Sequence, residues 1–129
     1  MTRKNITAEG AAAVGPYSHA ILSGEFVFLS GQTPLNSDTG KLVEGSFGEQ
    51  VEQCFRNLGV VLEAGGLTFD HVVKVNVFLT DMENFSAMND VYAGYFSQPY
   101  PARTTIGVAS LPLGADVEIE LIAQCRQER

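Results

Sequence analysis

No stretch of this 129-residue chain approaches the roughly 18 consecutive apolar residues needed to cross a bilayer, so no membrane-spanning helix is expected. The N-terminus, Met1 to Ile6, carries basic residues without a long leucine-rich run behind them. Ala11 to Val14 is too short for a signal core, and the expected compartment is the cytoplasm. Cysteine is scarce: Cys54 and Cys125 lie far apart and outside any C-x-x-C pattern, which favours two buried thiols over a disulfide or a zinc site. His19 and His71 have no third ligand signalled nearby. Basic residues are also few. Eight Lys and Arg against fifteen Asp and Glu give a net charge of −7, with no basic cluster beyond Arg3-Lys4, so phosphate neutralisation offers little toward binding nucleic acid. Neither G-x-G-x-x-G nor a P-loop occurs, and Ser30-Gly31-Gln32 is not a nucleophile elbow, which leaves nucleotide cofactors and serine hydrolysis without support.

What the chain does contain is the periodicity of one ordinary α/β (α+β) domain over residues 1–129. Residues 1–14 read as an arm or short edge strand. Tyr17 to Leu22 and Phe26 to Ser30, joined by Ser23-Gly24-Glu25, read as a hairpin. Pro34 to Gly45 is turn-rich. Ser46 with Glu49 forms a capping box that opens a helix, whose apolar stripe runs Phe47, Val51, Cys54, Phe55, Leu58, Val61, Leu62 to a stop at Gly65-Gly66. Val72 to Leu79 is a β-branched central strand, with Val73, Val75, Val77 and Leu79 expected on one face. Thr80 and Glu83 suggest a second capping box, followed by a stripe of Phe85, Met88, Val91, Tyr92, Tyr95 and Phe96 that ends at Pro99 and Pro101. Two amphipathic helices cover one face of a mixed sheet of about five strands. The other face, carrying Phe78 and Ile122 among Lys74, Asn76, Glu118 and Glu120, is too mixed for plain solvent surface, and packing against further copies is the simplest way to cover it.

The most unusual stretch is Pro101 to Ala109, running through Leu111-Pro112 into Val117 to Ala123. It reads as two strands joined by a turn containing Pro and Gly, each delivering charge. Arg103 stands at the start of the first. In the second, alternation puts Val117, Ile119, Leu121 and Ala123 on one face and Glu118 and Glu120 on the other. Arg103 is read equally well as a sheet-edge ion-pair partner or as a bidentate clamp for a carboxylate or phosphate. The glutamates are read either as a solvated face or partners of Lys74, or as groups that orient or deprotonate a water. Tyr17 and Ser30 bring hydroxyls able to hold a small polar ligand, and Gly31 lets backbone N–H groups approach one closely.

Taken together, Gly15-Pro16-Tyr17, Leu29-Ser30-Gly31-Gln32, Pro101 to Ile106, Leu111-Pro112 and Val117 to Ala123 closely resemble the Rid (YjgF-like) family of reactive intermediate deaminases, over essentially the whole chain. The resemblance implies a chorismate-mutase-like fold assembled as a homotrimer with sites in the clefts between subunits. It also implies hydrolysis of enamines and imines such as 2-aminoacrylate and 2-iminobutyrate to 2-oxo acids and ammonia. By the same resemblance Arg103 holds the substrate carboxylate, Glu118 positions the attacking water, and Tyr17, Ser30 and the Gly31 backbone form the pocket wall. Thr105 stands where many members have cysteine and is expected to serve as a hydrogen-bonding pocket residue. No metal or organic cofactor is implied, since a protonated imine is already electrophilic. No nucleic acid or membrane partner is expected. Two other readings attach to the same clefts: a non-enzymatic trimer that binds small carboxylates or partner proteins, and an endoribonuclease or translation inhibitor, against which the acidic balance argues.

Overall fold

The computed structural model describes residues 3–9 and 15–125. Among these residues ten strands and α-helices follow in chain order: β1 (Lys4–Ile6), β2 (Ala20–Ser23), β3 (Phe26–Gln32), β4 (Leu35–Asn36), β5 (Lys41–Leu42), α1 (Phe47–Ala64), β6 (Val72–Leu79), α2 (Phe85–Tyr92), β7 (Ala102–Gly107) and β8 (Val117–Gln124). Six strands form one sheet in the order β1-β2-β3-β8-β6-β7, while β4 and β5 pair separately. Only β6 and β7 run parallel within the six, and α2 supplies the crossover that a parallel pair requires. Consequently β8, last in the chain, lies between β3 and β6, and β7 is left at an edge.

Helix α1 starts where its capping box places it: the Glu49 backbone N–H donates to Ser46 Oγ at 3.2 Å, and the Ser46 N–H donates to Glu49 Oε1 at 3.2 Å. It ends at Gly65, and Gly66 follows with φ 75°, a left-handed value that glycine tolerates without penalty. The α1 stripe of Val51, Cys54, Phe55, Leu58, Val61 and Leu62 is buried against Val75, Val77 and Leu79 of β6 and Val117, Ile119 and Leu121 of β8. Each such fully buried aliphatic or aromatic side chain contributes about 1.5–3 kcal/mol. Phe55 is the hub of an aromatic cluster, stacked on Tyr95 at 4.4 Å and edge-on to Phe69, Tyr92 and Phe96.

Several sequence expectations are corrected. The proposed Thr80–Glu83 capping box does not form. Asp81 accepts from the Glu83 N–H instead, and Thr80 Oγ1 turns to Asp116 Oδ1 at 3.3 Å, because a one-turn 3₁₀ segment (Met82–Asn84) precedes α2. The second helix ends at Tyr92, so Tyr95 and Phe96 reach the core from beyond it. Val73 is 39% exposed rather than core-facing. A bulge in β6 between Val72, opposite Ala123, and Lys74, opposite Ile122, leaves Val73 as the extra residue. The sheet has six strands rather than five, the hairpin's first strand begins at Ala20, and the 34–45 loop contains the short β4–β5 pair. Cys54 is buried, but Cys125 is exposed just past the end of β8; both are free thiols. No helix among the described residues is long and apolar enough to cross a membrane. The predicted arm is β1 at the sheet edge for Lys4–Ile6, and its residues 1, 2 and 10–14 lie outside the described set.

Both helices lie on one face of the sheet. The opposite face presents Phe28 opposite Ile122, Phe78 opposite Glu118 and Ile106 opposite Phe78, with Phe28 and Ile106 exposed.

Candidate functional site

The fold builds two separate polar clusters. The first arises from a bulge in β3. Leu29 pairs with Leu121 and Gln32 with Ile119, so Ser30 and Gly31 together oppose the single residue Glu120. Such a bulge re-aims side chains and opens the ladder, a device common beside functional sites. Ser30 turns its hydroxyl inward and donates to the Ser18 carbonyl at 2.6 Å, while its backbone N–H donates to the His19 carbonyl at 2.9 Å, which ties β3 to the chain leading from Tyr17. Gly31 leaves room for Glu118: a Cβ at position 31 would lie 2.9 Å from Glu118 Oε2, 3.0 Å from its Cδ and 3.1 Å from its Cγ. These residues, with Tyr17, Gln32, Thr33, Leu35, Pro112, Leu113 and Glu120, line a cleft of about 450 Å³.

Within this cleft the two glutamates differ. Glu120 accepts from Asn76 Nδ2 at 2.9 Å and is thereby committed to the sheet. Glu118 receives no hydrogen bond from the described residues, and partial burial, reinforced by the neighbouring Glu120 charge, holds its carboxyl above the ordinary range. That raised basicity suits a group that accepts a proton from water. The alternative of Lys74 pairing does not arise, since Lys74 Nζ donates to Thr104 Oγ1 at 2.9 Å. Leu113, on the cleft rim, has φ 63°, a left-handed value uncommon for a leucine, and is 55% exposed.

The second cluster lies on the helix-covered face at the β7 edge. Arg103 aligns with Val75 and Thr105 with Val77, so both point to the side on which those valines are buried. The Arg103 guanidinium lies 4.6 Å from the Tyr92 ring centroid and 5.6 Å from that of Phe85. No carboxylate among the described residues forms an ion pair with it. Around it the structure leaves polar atoms unspent: Thr105 Oγ1, Tyr92 Oη and Asn89 Oδ1 are buried without hydrogen-bond partners among the described residues. Phe85, Asn89 and Tyr92 follow at i, i+4 and i+7 on α2 and share one helix face. Burial raises the Tyr92 pKa, and the nearby Arg103 charge partly offsets that rise.

Of the sequence-selected residues, the structure therefore gathers Tyr17, Ser30, Gly31 and Glu118 into one cleft and places Arg103 and Thr105 elsewhere. Glu118 and Arg103 lie on opposite faces of the sheet, two strand spacings apart and about 10 Å apart along the strands as well. Sequence reading did not single out the cleft residues Thr33, Leu35 and Leu113, nor Phe85, Asn89 and Tyr92 around the arginine. The available signal was Asn89, an amide interrupting an aromatic stripe.

The family model described as "Endoribonuclease L-PSP" matches residues 7–125, nearly all of the described chain. The chain belongs to the Rid (YjgF-like) family. It is 47% identical over 119 residues to a "RutC family protein" of Aquifex aeolicus, covering 91% of this chain and 94% of that one. A Capra hircus protein named "2-iminobutanoate/2-iminopropanoate deaminase" is 46% identical over 117 residues, covering 91% of this chain and 85% of its own. Among solved structures, a Rid-family protein from Yersinia pestis superposes with TM-score 0.91 at 44% identity, covering 95% of this chain and 98% of that one. The mixed α+β fold of this Rid-family chain is thus the fold of its relatives.

Proposed function

We propose that this protein hydrolyses reactive enamine and imine intermediates of the 2-aminoacrylate and 2-iminobutyrate type to 2-oxo acids and ammonia, and that it does so in the cytoplasm as a homotrimer whose sites lie between copies. One observation carries the reading: a half-buried carboxylate with a raised pKa faces a cleft on one side of the sheet, and a guanidinium without a counter-ion among the described residues waits on the other side. Neither is a complete site, and one chain cannot bring them together. A second copy packed on the open, partly apolar sheet face would bring its Arg103 to the first copy's Glu118. The naming of the Capra hircus relative as an iminobutanoate deaminase supports the same chemistry.

In this mechanism Arg103 holds the substrate carboxylate through two parallel N–H donors. An enamine first tautomerises to the imine. The water oxygen then bonds to the protonated imine carbon while Glu118 accepts a water proton. The resulting carbinolamine receives that proton from Glu118 on nitrogen, the C–N bond breaks as the hydroxyl proton returns to Glu118, ammonia departs and the carbonyl of the 2-oxo acid forms. Tyr17, Ser30 and the Gly31 backbone shape the wall against which the substrate is oriented, and Thr105 offers a hydroxyl beside the carboxylate site.

The test is Arg103→Ala assayed with iminobutyrate freshly generated by a threonine dehydratase and trapped with semicarbazide. Losing a charge-assisted contact of about 2–4 kcal/mol lowers kcat/KM by a factor of roughly 30 to 1000. Acceleration equal to that of the unmodified protein would remove Arg103 from the reaction.

A further inference from the structure

The environment of Arg103 points to a device that the proposed reaction alone does not require. An arginine meant to bind an anion must be held still, and the common means is a neighbouring carboxylate, which also neutralises it and occupies its donors. Here no carboxylate among the described residues fills that role. The guanidinium lies instead over two rings, at 4.6 Å from Tyr92 and 5.6 Å from Phe85. A ring face attracts the cation through its quadrupole, yet accepts none of the in-plane N–H donors.

We propose that Phe85 and Tyr92 form an aromatic platform that positions Arg103 while leaving its charge and its in-plane donors free for a carboxylate, which makes both of them positioning residues for substrate binding. This rests on the reading of Arg103 as the carboxylate clamp. The two rings are anchored differently. Tyr92 is 6% exposed and packs against Phe55 and Phe96, so it is fixed by the core. Phe85, the first residue of α2, is 36% exposed and has no ring contact with that cluster, so its burial contributes less to the fold than that of Tyr92.

The test uses Phe85, where packing and positioning are separable. Dissociation constants for 2-oxobutyrate, a stable carboxylate probe, are measured by calorimetry for the unmodified protein, Phe85→Leu, Phe85→Tyr and Arg103→Ala, alongside thermal midpoints and iminobutyrate turnover. Phe85→Leu keeps an apolar side chain of similar size but loses the ring. It is expected to weaken 2-oxobutyrate binding and raise KM by the same factor, on the order of 3- to 30-fold, with kcat little changed. Phe85→Tyr restores the ring and recovers most of the affinity. Binding by Phe85→Leu equal to that of the unmodified protein, or a loss that Phe85→Tyr fails to recover, overturns the platform. Binding that follows this pattern without any imine turnover would keep the platform and overturn the proposed reaction. Absence of 2-oxobutyrate binding to the unmodified protein would overturn both.

Discussion

The close approach of Gly31 to Glu118 makes Gly31→Ala the most informative single perturbation of the cleft. The added methyl carbon would lie 2.9–3.1 Å from three atoms of the Glu118 side chain, close enough that the side chain must shift, and no backbone atom is among them. Position 31 does not have a left-handed φ, so alanine brings no backbone strain there. The clash is therefore relieved by Glu118 turning away. Leaving a rotamer well costs about 0.5–1.5 kcal/mol, and the reduced freedom of the unfolded alanine chain returns part of it. The expected change in stability is at most about 1 kcal/mol, a shift of a few degrees in Tm for a domain of this size. On the proposed mechanism the effect on chemistry is much larger, because displacing by about 1 Å the carboxylate assigned to hold the water costs on the order of 100-fold in rate. The assay pairs thermal unfolding with the coupled iminobutyrate assay. A variant with Tm within a few degrees of the parent and activity down about 100-fold agrees with the reasoning; full activity would show that Glu118, where it stands against Gly31, is not part of the reaction.

Two further predictions follow from electrostatics and packing. The Glu118 carboxyl has a raised pKa in the folded protein, so its contribution to stability is fully present below the unfolded carboxyl pKa and is lost as pH rises through the raised folded value. Glu118→Gln is accordingly more stable than the parent at neutral pH, an advantage that disappears below about pH 4, and it lacks the activity limb that rises with pH above the ordinary carboxylate range; equal denaturation midpoints at both pH values would contradict this. Asn57 is buried on α1, where its Nδ2 donates to the carbonyls of Leu35 at 2.9 Å and Thr33 at 3.2 Å, so Asn57→Ala is expected to cost about 1–3 kcal/mol in urea denaturation and to lower kcat/KM by loosening the cleft wall those residues form. Parental stability in that variant would mean that the carbonyls find other partners.

Much of this architecture was legible before any coordinates. The α1 stripe, its capping box and the alternation of β8 are local patterns, and each matched the fold because a continuous apolar face dictates which side is buried. The misreadings have local causes. The β6 bulge shifted Val73 by one residue, which reverses its side, and nothing in a run of valines marks where such a slip falls. Thr80 and Asp81 are both good caps, and only the 3₁₀ turn decides between them. Cys125 lies one residue past β8, where burial ends. The site was half legible. Arg103 and Glu118 could be selected by type, but the face to which Arg103 points could not, because β7 reads Ala-Arg-Thr-Thr-Ile-Gly and lacks the apolar alternation that orients a strand. Its side is set by pairing with Val75 across a crossover of more than twenty residues. The β3 bulge that opens the cleft is likewise a register feature, to which Ser30-Gly31 is only a hint.

The central claim is that Glu118 of one copy works with Arg103 of another, and subunit mixing tests it most directly. Arg103→Ala and Glu118→Gln proteins, each expected to be strongly impaired alone, are dissociated, mixed in equal amounts and reassembled. With sites shared between adjacent copies of a trimer, about one site in four combines an intact Glu118 with an intact Arg103, so the mixture should recover about a quarter of the parental activity. No recovery, in mixtures shown by native mass spectrometry to contain both variants in one oligomer, would contradict the claim.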